Sequence, residues 1–189
     1  MATQAANSRR AAILAAGAGL FAARGFHGVS IEDLGRAVGT TGPALYRHFP
    51  GKEAMLAAML VDVSERLLAG AEQRLYASPE PEPALDALLH GHIDFALTEP
   101  ALITVHDREL DNVPQQERHA IRRLQRRYVE HWVGVLAQLR PEVAQERLRA
   151  AAHATFGLLN STPYSVGALD PADMRILLHT LGRAALLAQ

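Results

Sequence analysis

Apolar residues recur along this chain at helical spacing, and no stretch sustains the two-residue alternation of a half-buried strand. Ile13, Leu14, Gly17, Ala18 and Phe21 fall on one face and predict a first helix over 8–24. Gly17 inside it costs about 1 kcal/mol relative to alanine, so close packing is predicted there. Gly25 and Gly28 end that helix. Ser30-Ile31-Glu32-Asp33 has the form of a capping box, with Asp33 where Glu or Gln is usual. It opens a second helix whose apolar face is Ile31, Leu34 and Val38 and which Gly39 stops. Thr40 and Thr41 stand where they cap a short third helix over 42–49, and Pro43 suits its first turn. After the Pro50-Gly51 break, Met55, Leu56, Met59, Leu60, Val63, Leu67 and Leu68 mark a long helix over 52–77. SPEPEP at 78–83 reads as a loop, and helices follow over 84–98, 101–110, 115–139, 142–161 and 171–188, with Pro100, Pro114, Pro141, Pro163 and Pro171 at the joints. The predicted fold class is all-α.

Charge changes this picture. The net charge of −1 hides segregation. Residues 1–55 carry six basic against three acidic groups, 56–113 three against eleven, 114–140 six against two, and 141–189 four against four. A basic N-terminal quarter beside an acidic segment is expected where one part meets phosphate and another must not. Cysteine is absent, which excludes disulfides and thiolate metal sites and fits a reducing compartment. No run of about 18 apolar residues lacks a charge, so no membrane span is expected. The start MATQAANSRR has no apolar core of a signal peptide, so a cytoplasmic location is expected. Lys52 is the one lysine, against eighteen arginines.

Two short helices joined by Gly39-Thr40-Thr41 form a helix-turn-helix pattern over 31–49. Its chemistry is geometric. The second helix enters the major groove, small residues at Thr41, Gly42, Pro43 and Ala44 permit close approach to base edges, and donors at Tyr46, Arg47, His48 and Lys52 meet phosphates. SIEDLGRAVGTTGPALYRHFPGKEAML resembles the helix-turn-helix signature of the TetR family of repressors. The shared elements are the Ser30 cap, the second helix ending in glycine, Leu45-Tyr46-x-His48-Phe49, and Lys52-Glu53 before an apolar pair. The first helix with Ile13-Leu14, Phe21 and Gly25-Phe26 is similar too, and the specific resemblance covers about residues 8–60. It implies an N-terminal three-helix DNA-binding domain, 1–52, joined to a helical-bundle effector-binding and dimerisation domain, 53–189. It also implies a homodimer on a pseudo-palindromic operator in double-stranded DNA. The backbone-contacting Tyr, His and Lys of the family fall on Tyr46, His48 and Lys52, the capping residue on Ser30, and base reading on Thr41 to Ala44 and Arg47, with Thr40 facing bases or capping the reading helix. Gly42-Pro43 departs from the usual pair, which shifts weight toward shape readout.

Residues 53–189 exceed what dimerisation alone needs. By analogy with the family, the last two helices pair across a two-fold axis, through Leu148, Ala152, Thr155 and Leu159 on one and Met174, Leu177, Leu178 and Leu181 on the other. Polar or aromatic residues at otherwise apolar positions, His92, Phe95, His106, Tyr128, Trp132, Phe156 and Asn160, are candidates to line a pocket for a small, largely apolar effector. Each serves equally well as core. ERHAIRRLQRR, 117–127, carries five arginines and reads as a solvated face pairing with the acidic 80–111 segment, or as a docking site for the phosphates of an acyl-CoA. The chain has no GxSxG elbow, no phosphate-cradling glycine loop and no HExxH, so neither an enzyme nor a cofactor is expected. His90 and His92 point to different sides of a helix and make a poor chelate, so no metal is expected. The competing class is a helical protein-interaction module without sequence-specific DNA binding.

Overall fold

The computed structural model describes residues 2–165, 167 and 169–188, with side chains from residue 9 onward. Among the described residues it is all-α with no strand: α1 (Ala2–Arg24), α2 (Ile31–Ala37), α3 (Gly42–Leu45), α4 (Lys52–Ala77), α5 (Pro81–Thr98), α6 (Pro100–Glu109), α7 (Gln115–Leu139), α8 (Gln145–Leu159) and α9 (Pro171–Leu187), with short 3-10 turns at Leu110–Asn112 and Thr162–Tyr164. The chain forms two compact units, one of residues 1–63 with 101–121, the other of 64–100 with 122–189. The division expected from the sequence, 1–52 and 53–189, cuts the chain elsewhere. The contacts group 101–121 with the N-terminal residues.

Several helix bounds differ from the periodicity: α1, expected from residue 8, already runs from Ala2, and α8 ends at Leu159 rather than at 161. The third helix, expected over 42–49, is regular only over Gly42–Leu45. The amides of His48 and Phe49 both donate to the Leu45 carbonyl, at 2.8 and 3.0 Å, so the coil tightens instead of propagating. α5 starts at Pro81 because proline needs no amide partner in a first turn, and SPEPEP is therefore partly helix. α8 starts at Gln145, after a turn closed by Val143 N–H donating to the Arg140 carbonyl.

In the first unit, Ile13, Phe21, Leu34, Leu45, Met55, Leu56 and Leu60 are buried almost completely. The close packing expected at Gly17 is present: a Cβ there would stand 3.2 Å from Met59 and 3.3 Å from Met55. The capping box forms as read, with Asp33 N–H donating to Ser30 Oγ at 3.0 Å and Ser30 N–H donating to Asp33 at 3.1 Å. The hydrogen bond from the Ser30 backbone is the main reason that the Asp33 carboxyl lies below its ordinary value. Gly39 ends α2 with φ of 65°, where a glycine is favoured. The tightest contact lies at Gly35, whose added Cβ would meet Gly42 N and Thr41 C at 2.8 Å and Thr40 O at 3.0 Å. The turn between the two helices rests on the bare backbone of α2.

The second unit buries one continuous core that includes Leu85, Leu89, Ile93, Trp132, Leu136, Ala152, Leu159 and Leu178. α9 packs on both α5 and α8. Gly182 permits this approach, since a Cβ there would lie 2.9 Å from Leu89 and 3.3 Å from Leu159.

Gly35→Ala is expected to destabilise the first unit by about 1–3 kcal/mol, because the atoms it meets are backbone and cannot step aside. Gly19→Ala, at a helical position with nothing within 4 Å, is expected to hold or raise stability. Thermal unfolding of the two variants checks the contrast, and equal effects would mean that the turn does not rest on α2.

Candidate DNA interface and effector cavity

The candidate reading face is built from what α3 and its flanks leave outside. Leu45 and Phe49 are buried at 1% and 4% exposure and anchor the segment, while Thr41, Pro43, Tyr46, Arg47 and His48 are exposed. Arg10 lies over the Phe49 ring, with its guanidinium carbon 5.1 Å from the ring centre. Thr41 is the N-cap of α3 by backbone conformation, yet its side chain makes no capping hydrogen bond and is free to face outward. Thr40 and Ala44 are half-buried. Gly42, expected among the base-reading residues, is buried. Its missing Cβ would press at 3.1 Å on Ile31, so its smallness serves the packing of α3 on α2. Ser30 spends its side chain on the capping box.

Lys52 has a job that its expected role as a phosphate clamp did not include. Its Nζ donates to the carbonyls of Phe26 and Val29, each at 2.8 Å, and lies 4.4 Å from the centre of the Phe26 ring. Two of its three N–H groups therefore hold the turn between α1 and α2. The same turn is gripped from another side. Phe26 N–H donates to Glu109 Oε1 at 3.1 Å, and Glu109 Oε2 accepts from Asn112 Nδ2 at 2.7 Å. Glu109 is 8% exposed, and a buried carboxylate needs such donors. Sequence reasoning missed Glu109, since one acid among eleven in that segment carries no local signal.

In the second unit the structure gathers six of the seven pocket candidates. His92 stands at the centre, with Phe156 at 5.0 Å, Phe95 at 5.8 Å, Tyr128 at 5.9 Å and Trp132 at 6.1 Å between ring centres. Its Nε2 donates to the Asn160 carbonyl oxygen at 3.0 Å, which leaves Nδ1 to accept from the Tyr128 hydroxyl, also at 3.0 Å. Burial lowers the His92 imidazole to about 4 and raises the Tyr128 phenol above its ordinary value. A cavity of about 230 Å³ opens beside this cluster, lined by Leu67, Leu88, Phe95, Tyr128, Arg74 and Gly91 among others. Phe95 and Tyr128 reach it, while Trp132, with no exposed surface, is core. His106 lies in the other unit, on α6, with Nδ1 3.3 Å from Asp107. Arg74 and Gly91 were missed: an arginine and a glycine at ordinary helical positions carry no periodic signal.

The expected dimer residues divide by burial. Leu148, Ala152, Thr155, Leu159, Met174 and Leu178 are buried within the protomer, so they hold α8 and α9 to their own core and are not available to a partner. Leu177 and Leu181 are 41% and 44% exposed, and Ile176, not singled out beforehand, is 64% exposed. In the arginine-rich stretch, Arg118 pairs with Asp111 at 3.1 Å and Arg127 with Glu72 at 3.0 Å, while Arg122, Arg123 and Arg126 are exposed. Among the described residues no helix is long and apolar enough to cross a membrane, and no group of three or more His, Cys, Asp or Glu is placed to hold a metal.

The His92 environment sets a pH dependence. Its folded value of about 4 lies below the ordinary 6.5, so the folded state refuses a proton that the unfolded chain accepts. The stability involved is complete above pH 6.5 and is lost as pH falls toward 4, about 3 kcal/mol in all. In denaturant titrations across that window, His92→Gln, which keeps hydrogen-bonding capacity without the ionisation, is expected to lose correspondingly less stability. Parallel pH profiles for the two proteins would contradict the assignment.

Comparison with known proteins agrees with this architecture. The family model of bacterial regulatory proteins of the tetR family matches residues 13–59, and the tetracyclin repressor-like C-terminal domain model matches 78–164. The chain is similar to a TetR-family transcriptional regulator from Bordetella parapertussis 12822, with a TM-score of 0.81 at 28% identity, over 92% of this chain and 93% of that one. It is 25% identical over 135 residues to the transcriptional repressor KstR2 of Rhodococcus jostii, covering 71% of this chain and 66% of that protein. It thus spans less than two thirds of the length of that curated relative. The fold is shared with AibR, solved in complex with isovaleryl coenzyme A and operator DNA, at a TM-score of 0.74 and 20% identity, over 92% of this chain and 97% of that one. These relatives are regulators of transcription rather than enzymes, and the two family models between them span the helix-turn-helix and most of the helical unit beyond it. The chain belongs to the TetR family of DNA-binding transcriptional regulators.

Proposed function

We propose that this protein is a ligand-responsive repressor that binds a pseudo-palindromic operator as a homodimer and is released by a small, largely apolar effector. The observation that carries the reading is the exposed row Thr41, Pro43, Tyr46, Arg47 and His48 on a segment whose other side, Leu45 and Phe49, is locked into the core. Thr41, Pro43 and Ala44 are suited to base edges, with Thr40 behind them and Arg47 able to reach a base or a phosphate. Tyr46 and His48 meet the backbone, and Lys52 keeps one N–H for a phosphate after serving the turn. Homodimerisation is supported by the exposed apolar residues of α9, Ile176, Leu177 and Leu181, and by the exposed small residues Ala154 and Gly157 of α8. The N-terminal residues to 52 then serve DNA and the remainder serves effector and partner. Effector release is a population shift: a ligand that favours one dimer geometry draws the two reading helices away from successive major grooves, about 34–36 Å apart. An acyl-CoA is one effector class, supported by the isovaleryl coenzyme A in AibR.

Selection of bound DNA from a random pool tests this directly. Enrichment of a palindrome is expected, with affinity for it falling linearly on a log–log plot against salt. Arg47→Ala is expected to weaken binding by about 1–3 kcal/mol. No enrichment and no salt dependence would favour a protein-interaction module instead.

A further inference from the structure

The cavity of the second unit is lined by a cation that has no carboxylate partner among the described residues. Arg66 is tied to Glu99 by two hydrogen bonds of 2.8 Å, and Asp94 is tied to Arg175. Asp94, Glu99 and Arg66 all line the cavity, so its acidic groups are already neutralised. Arg74 lines it too, half-buried, and donates from Nη1 to the Gly70 carbonyl at 3.0 Å, and among the described residues no carboxylate is in a salt bridge to it.

Its seat is built with care. A Cβ at Gly70 would stand 2.8 Å from Nη1, and a Cβ at Gly91 would stand 2.6 Å from Nε and 2.7 Å from Cζ. The guanidinium thus sits against the bare backbone of Gly70 on α4 and Gly91 on α5, in space that a side chain at either position would take. Its positive charge is felt at the Tyr128 phenol, which reaches the same cavity. A half-buried guanidinium loses hydration, and a planar carboxylate restores it with two parallel hydrogen bonds. The remaining wall includes Leu67, Leu88 and Phe95.

We propose that Arg74 is the counter-ion for a small amphiphilic carboxylate bound in this cavity, its head on the guanidinium and its hydrocarbon against Leu67, Leu88 and Phe95. This rests on reading the second unit as the effector-binding one. At about 230 Å³ the space is below the roughly 300–1,000 Å³ of sites for drug-sized ligands, which favours a free acid over a coenzyme A thioester.

The test titrates the full-length protein with octanoate, 1-octanol and octanoyl-CoA, and reads the fluorescence of Trp132, the single tryptophan, whose ring lies 6.1 Å from that of Tyr128. Octanoate is expected to bind at least about tenfold more tightly than octanol. Arg74→Gln is expected to abolish that preference while octanol still binds. Gly91→Ala, which evicts the flexible guanidinium without touching backbone, is expected to do the same and guards against a folding defect in the first variant. Equal binding of octanoate and octanol, a preference that survives Arg74→Gln, or tight octanoyl-CoA binding without octanoate binding each overturns the assignment. None of these readings uses DNA, so carboxylate binding can fail while operator selection succeeds, and the two proposals fall separately.

Discussion

One ammonium group closes the helix-turn-helix unit of this molecule. The chain between α1 and α2 must turn within a few residues, and among the described residues its carbonyls at Phe26 and Val29 are met by a side chain rather than by a backbone amide. Backbone acceptors left unmet away from water cost as much as a lost hydrogen bond. Lys52, at the start of α4, meets both, and Glu109 at the end of α6 meets the Phe26 amide. The turn sets where Ser30 caps α2. α2 in turn carries Gly35, on which the turn into α3 rests. The exposed groups between Thr41 and His48 thus have their place set, through a chain of contacts, by a side chain outside that segment.

This explains why one lysine stands among eighteen arginines. Two carbonyls converging on one point suit a compact tetrahedral donor on a flexible stem. A guanidinium spreads its donors in a plane and would need the Phe26 ring, 4.4 Å from Nζ, to yield. The peculiarity of Lys52 was visible in the sequence, but its partners were not, because they lie 23 and 26 residues away.

The same distinction separates what was legible from what was not. Periodicity, glycine stops and the Ser30–Asp33 box are local, and α2, α4 and α7 stand close to where they were read. The gathering of His92, Phe95, Tyr128, Trp132, Phe156 and Asn160 was anticipated from polar and aromatic residues interrupting apolar faces. Which of them reach the cavity and which are core depends on burial from neighbouring helices, and so did the fate of Leu148, Ala152 and Leu159, apolar positions that serve a core or an interface equally well on paper. Arg74 was invisible for a related reason. Its significance lies in two glycines and two spent carboxylates on other turns and another helix.

Lys52 holds the turn between α1 and α2 whether or not DNA is bound, and the stability of Lys52→Met without DNA measures that hold. Losing two hydrogen bonds from a charged donor should cost about 1–3 kcal/mol, or roughly 2–4 °C in Tm for each kcal/mol. A Tm equal to that of the parent, together with a salt slope of DNA binding reduced by about one, would show instead that Lys52 is a phosphate clamp and that the turn holds without it.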